Sequence, residues 1–175
     1  MRHFIYILLP ILLLTSCRTF RKSWEFQTYK GQPVAVGRVN TDVLQHKKLG
    51  RWFEENYQAY RPDPEVITRL KSHRERIFVE IYLGTWCPDS RQHVPAFIKV
   101  LDRAGWNSSQ VEIYALERKY KQNERAKSKG IIRVPTFIVY KDNKELGRII
   151  EYPMTTLEQD LMEILNGNYK HELDR

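Results

Sequence analysis

The run Ile77-Phe78-Val79-Glu80-Ile81-Tyr82-Leu83 leads through Trp86-Cys87-Pro88 into a helix-patterned stretch that reaches Ala104. This succession constrains the fold more than any other part of the chain. A nearly continuous apolar run of this length reads as a strand buried on both faces, as inside an α/β sheet. Pro88 suits a first helical position, where its missing N–H is no loss. The strand-to-helix turn therefore carries Cys87 at a helix N-terminus. The unpaired N–H groups of that first turn face the sulfur and favour thiolate, the nucleophilic form. The alternative reading is a small buried hydrophobe, which lone cysteines often are. Pro95 falls inside the helix and is expected to interrupt and bend it.

Downstream, Val111 to Leu116 reads as a second strand and residues 123–129 as a polar helix stopped by Gly130. Thr136 to Tyr140 and Leu146 to Glu151 form a hairpin around Lys141-Asp142-Asn143-Lys144. Thr156 with Gln159 makes a capping box ahead of Leu157, Leu161, Ile164 and Leu165, and Gly167 closes that helix. From Ile77 the order is β–α–β–α–β–β–α. Upstream, residues 34–39 read as a short strand and Asn40-Thr41-Asp42 offers helix caps. Leu49, Trp52, Phe53, Tyr57 and Tyr60 recur at helical spacing, a stripe that packs on a core rather than forming a ligand box. Asp63-Pro64-Glu65 opens a further helix through Leu70.

The N-terminus reads separately. Met1-Arg2-His3 is basic, Phe4 to Leu14 is apolar, and Leu14-Thr15-Ser16-Cys17 ends in a cysteine. The apolar run is shorter than the ~20 residues of a membrane span and suits a signal peptide. Its ending resembles the bacterial lipoprotein signal, in which cleavage precedes a cysteine that then carries lipid. An ordinary signal peptide or a buried helix is the alternative. Lipidation of Cys17 would anchor the chain, each buried methylene contributing about 0.8 kcal/mol. It would also leave Cys87 as the one free thiol, so thiol chemistry becomes intermolecular. The resemblance implies a lipid-anchored, periplasm-facing place in the envelope of a Gram-negative-type bacterium. The organisation is then signal peptide 1–16, tether and short strand 17–40, helical extension 41–76, α/β domain 77–166 and tail 167–175.

The net charge of +8 is compatible with nucleic-acid binding, but the basic residues are scattered and an exported chain rarely meets nucleic acid. Arg18, Arg21, Lys22 and Lys30 suit anionic headgroups beside an anchor. The basic stretch 118–129, which also holds Glu124, reads as a solvated helix face.

On the strength of these residues, the chain resembles thioredoxin-fold proteins, most closely the extracytoplasmic TlpA-like branch, over residues 77–166. Trp86-Cys87-Pro88 matches the start of the active-site turn and Pro95 the helix-kinking proline. Val134-Pro135-Thr136 matches the loop that carries the family's cis-proline, with a trans Pro135 starting a strand as the alternative. The resemblance implies a central mixed sheet flanked by helices, with an N-terminal strand and helical extension. It also implies that Trp86, Val134 and Pro135 contact an extended substrate chain.

The departures are informative. Ser90 stands where the family has its second cysteine, and Ile81 where thioredoxins carry a buried acid. Glu80 is one residue off and points to the opposite sheet face. His93 takes the place of a glutamate common in TlpA-like members. It either pairs with the Cys87 thiolate or serves as a surface or packing residue. Asp89 complements the helix dipole, and its charge opposes negative charge on Cys87.

The implied chemistry is monothiol exchange: Cys87 attacks a disulfide or thiol adduct on an envelope protein, with Ser90 and His93 assisting. An external thiol or reductase then resolves the mixed disulfide. The competing reading is a redox-inactive peptide-binding module on the same scaffold. Gly84 stands where a peroxiredoxin would have threonine. The histidines His3, His46, His73, His93 and His171 are dispersed, so no metal site and no cofactor is expected.

Overall fold

A computed structural model of the chain describes residues 23–73 and 75–171. The signal segment and Cys17 lie outside the described residues. Six strands form one mixed sheet: β1 (Trp24–Tyr29), β2 (Gln32–Val39), β3 (Ile77–Leu83), β4 (Val111–Ala115), β5 (Thr136–Lys141) and β6 (Lys144–Ile150). Their spatial order is β1-β2-β4-β3-β5-β6, with β3 and β4 parallel and the other pairs antiparallel. The helices are α1 (Thr41–Leu44), α2 (Trp52–Ala59), α3 (Pro64–Leu70), α4 (Pro88–Ala104), α5 (Glu124–Ser128) and α6 (Leu157–Leu165).

The central strand β3 is buried along all but Phe78, as its apolar run requires. Period-2 alternation divides it between two cores. Val79, Ile81 and Leu83 join the larger one with Phe97 of α4 and Leu161 of α6. Tyr82 joins a smaller one with Cys87, Tyr120, Ala126, Ile131, Val134 and Ile138. The turn that carries Cys87 is thus rooted in the sheet face that α5 covers.

Helix α4 continues through the buried Pro95. The hairpin joining β5 to β6 turns at Asp142 and Asn143, φ 50° and 65°, the pair of positive angles a type I′ turn needs. One expectation is corrected: within residues 17–40, read as a tether and one short strand, a further stretch is strand and not tether. Trp24–Tyr29 is an edge strand paired with β2, because Trp24 and Phe26 alternate onto the core while Glu25 and Gln27 face outward.

The extension is fixed to the α/β unit by buried polar contacts. Glu158 on α6 accepts from Tyr60 Oη at 2.6 Å and from Asp63 N at 3.0 Å. Lys99 on α4 is buried and donates to the carbonyls of Tyr57 (2.8 Å), Tyr60 (2.9 Å) and Gln58 (3.3 Å) at the end of α2. A cation there satisfies helix carbonyls that have no intrahelical partner. Lys99→Met keeps the stem but strands those acceptors, and is expected to lower stability by about 1–3 kcal/mol in urea unfolding. A change within a few tenths of a kcal/mol would mean that water replaces the ammonium group.

Candidate active site

Cys87 follows the end of β3 through a turn closed by Cys87 N donating to Gly84 O at 2.8 Å. It is the N-cap of α4, with Pro88 at the first helical position. The residue is 7% exposed. Its thiol lies 3.4 Å from the carbonyl oxygen of Val134 and 3.8 Å from Asp89 Oδ2. The Val134-Pro135 peptide is cis, as expected from the resemblance. Two segments distant in sequence, the turn after β3 and the loop before β5, therefore meet at one sulfur.

Ser90 is fully buried one helical turn further on, and its Oγ accepts from Gly84 N at 3.1 Å. That bond holds the turn rather than the thiol. Thr85 is also fully buried and accepts from Ala35 N of β2 at 2.9 Å, while Arg91 Nε donates to Thr85 O at 2.7 Å.

Trp86 shields one flank. Its indole N–H donates to Leu116 O at 2.9 Å. A Cβ on Gly84 would come within 2.5 Å of the ring, so the missing side chain is what lets the indole lie against the backbone. The Arg118 guanidinium sits 4.6 Å above the ring and Tyr120 stacks at 6.3 Å. Tyr29, at the tip of the β1–β2 hairpin, reaches it at 6.2 Å. The N-terminal extension thus contributes to the site through its hairpin.

His93 is not among the sulfur's hydrogen-bonding partners. It is half-buried and lines a cleft of about 320 Å³ with Tyr60 at the end of α2 and Pro153 and Thr156 ahead of α6. Burial pushes its imidazole below the ordinary value, with the Asp89 charge partly opposing this.

Sequence reasoning missed the apolar rim. Ile132, Tyr152 and Met154 are 47%, 40% and 45% exposed, on the two loops beside Val134-Pro135. Glu151 N donates to Pro135 O at 2.7 Å, and Arg133 pairs with Glu151 at 2.5 Å. Asp160 of α6 accepts from Met154 N at 2.6 Å and Thr155 N at 3.1 Å. The Ile131-Ile132 doublet was a signal in the sequence, since only one of two neighbours in a short loop finds the core.

The basic stretch 118–129 is also corrected: it is not simply solvated. Glu80 is 5% exposed on the face of the smaller core. Its carboxylate meets Arg125 Nη2 at 3.0 Å and Lys129 Nζ at 2.9 Å, and accepts from Tyr82 Oη and Tyr140 Oη at 3.0 Å each. Burial raises the Glu80 carboxyl, but hydrogen bonds from Lys129, Tyr82 and Tyr140 and the charge of Lys129 outweigh it and hold the group below 4.5. Helix α5 is thereby clamped over β3. Among the described residues no cluster of His, Cys, Asp and Glu is arranged to hold a metal ion.

A central mixed sheet flanked by helices, with a cysteine capping the helix after the central strand and a cis-proline loop against it, defines a protein of the thioredoxin fold. Residues 40–164 match the family described as Thioredoxin, and the chain belongs to that family. No curated protein matches it. Among solved structures, a protein of unknown function from Pseudomonas aeruginosa is 19% identical at TM-score 0.44, covering 69% of this chain and 74% of that one. Thioredoxin from Fasciola hepatica is 22% identical at TM-score 0.38, covering 58% and 89%. The germline thioredoxin Deadhead of Drosophila melanogaster is 19% identical at 0.36, covering 57% and 87%.

Proposed function

We propose that this is a TlpA-like thioredoxin-family lipoprotein that carries out monothiol thiol–disulfide exchange through Cys87. The observation that carries the reading is the placement of Cys87 at the head of α4, against Val134 O and inside an apolar rim, with Ser90 buried where a second thiol would stand. The Cys87 thiolate attacks one sulfur of a client disulfide. A Cys87–client disulfide forms, and the other client sulfur leaves as a thiolate that takes a proton from solvent. Deprotonation of Cys87 removes the S–H donor from Val134 O, and the mixed disulfide does not replace it, which frees the carbonyl to accept an N–H from the docked chain, as in strand addition. Ser90 has no sulfur with which to displace the client, so release is external: a thiol attacks the client sulfur and Cys87 leaves as thiolate, or a dithiol reductase attacks Cys87 Sγ, frees the client thiol and then closes its own disulfide to return Cys87 as a thiol. The clients are envelope proteins, with the protein held at the membrane, facing the periplasm, through lipid on Cys17.

Redox-inactive peptide binding is the second reading, favoured by the 7% exposure of Cys87. Envelope fractions after rapid thiol blocking, run on non-reducing gels beside Cys87→Ala, separate the two. Exchange predicts high-mass adducts that vanish with the substitution and with reductant. Identical lanes and a fully free Cys87 would leave only the binding reading.

A further inference from the structure

The flank of the site beyond Trp86 carries a concentration of positive charge that the exchange chemistry does not use. Arg118, Lys119, Lys121 and Arg133 line a cleft of about 410 Å³ with Tyr120 and Ile132. Arg118, Lys119 and Lys121 are exposed, and among the described residues no ion pair engages them. Arg133 is committed in part to Glu151, so the field comes chiefly from the other three.

The cleft is continuous with the reactive turn. Arg118 lies over Trp86, and Tyr120 belongs to the Cys87 core and donates to Ile132 O at 2.9 Å. Arg133 directly precedes Val134, whose carbonyl faces the sulfur. A chain entering along Val134 would pass over Ile132 into this cleft.

We infer that the cleft selects clients whose reactive cysteine is flanked by acidic residues, by binding an extended acidic segment beside the disulfide. The inference rests on the exchange reading of Cys87 and adds the substrate class. The side chains are long and exposed, which suits a diffuse match to a run of carboxylates better than one fixed anion. Such charge complementarity acts mainly on the encounter rate and weakens with salt.

The test uses peptides whose single cysteine is a mixed disulfide with 2-thiopyridine, flanked by acidic, neutral or basic residues. The Cys87 thiolate attacks the peptide sulfur and 2-thiopyridone leaves, which absorbance reads. At about 0.01 M salt, with a Debye length of about 30 Å, the acidic peptide is expected to react about tenfold faster than the neutral one. The ratio should fall to about one at about 1 M salt, and likewise in Lys119→Glu/Lys121→Glu. Equal rates for all three peptides would overturn the cleft assignment and leave exchange standing. The mixed disulfide of glutathione with 2-thiopyridine reacting faster than the acidic peptide would overturn it in favour of a small anionic thiol. No thiopyridone from any peptide would instead count against exchange. A labelled acidic peptide with serine for cysteine, titrated onto Cys87→Ala, then decides the cleft: salt-sensitive binding keeps it, and absence of binding removes it.

Discussion

Replacing Arg125 and Lys129 together by methionine is expected to lower the unfolding free energy at neutral pH by about 3–5 kcal/mol, the range for a buried charge left unpaired. Methionine retains the apolar stem, so the loss isolates the charges. Arg125 is 41% and Lys129 30% exposed in their side chains, whereas the Glu80 side chain is 6% exposed. The cations can return to water, so their own pairing energy is small; the cost is borne by Glu80. Glu112 is not stranded in the same way, because Arg38 still pairs with it at 2.6 Å. The pH dependence carries the sign. In the natural chain the Glu80 carboxyl lies below 4.5, so its stabilisation is fully present above 4.5 and is lost as pH falls through the lower folded value. Without the cations, burial raises the folded value, and the penalty disappears on acidification. Urea unfolding between about pH 7 and pH 3 should show the gap between the two proteins closing as pH falls. A gap under about 1 kcal/mol at neutral pH, or one that does not change with pH, would mean that the network acts as ordinary surface pairing.

That network shows what the sequence leaves unsaid. The alternation of β3 places Glu80 away from Ile81, and the structure agrees. Nothing in a linear reading, however, says that Arg125 and Lys129 return to meet it, because on a polar helix every charged position looks equally solvated. Local signals were readable: Trp86-Cys87-Pro88, the Val134-Pro135 pair and the Asp142-Asn143 turn each combine a backbone constraint with residues that meet it. Strand β1 was missed because an edge strand buries only half its side chains, and Trp24 and Phe26 alone give too short an alternation. The rim of Ile132, Tyr152 and Met154 was missed because its members stand on separate loops and come together only when β5 and β6 pair. The contacts of His93 were out of reach for a related reason. The helix positions it, but the cleft it lines belongs to α2 and to the loop before α6.

Ser90→Cys is expected to convert the trap into a self-releasing dithiol. Position 90 lies one helical turn from Cys87 on α4, on the side that faces the turn, and a thiol there differs from serine by one atom. Sulfur is a weak acceptor, so Gly84 N–H loses most of its bond to position 90, at a cost of about 1 kcal/mol. The gain is chemical. Once a Cys87–client disulfide exists, the introduced thiolate attacks Cys87 Sγ, the internal disulfide forms and the client leaves as a thiol. The adducts expected of the natural chain should fade, and Cys87 and the introduced cysteine should both become unreactive to alkylation until dithiothreitol returns two electrons. Release should be slower than the first attack, because Ile81 is buried in the larger core where the family's acid would accept the second thiol's proton. Glu80, on the other face and held by Arg125 and Lys129, cannot take its place. The readout is the lifetime of the mixed disulfide after oxidant is removed, compared between the two proteins on non-reducing gels. If the adducts persist equally and both thiols of the variant stay free, residue 90 is not positioned to resolve Cys87. The hydroxyl would then be kept for its bond to Gly84 alone.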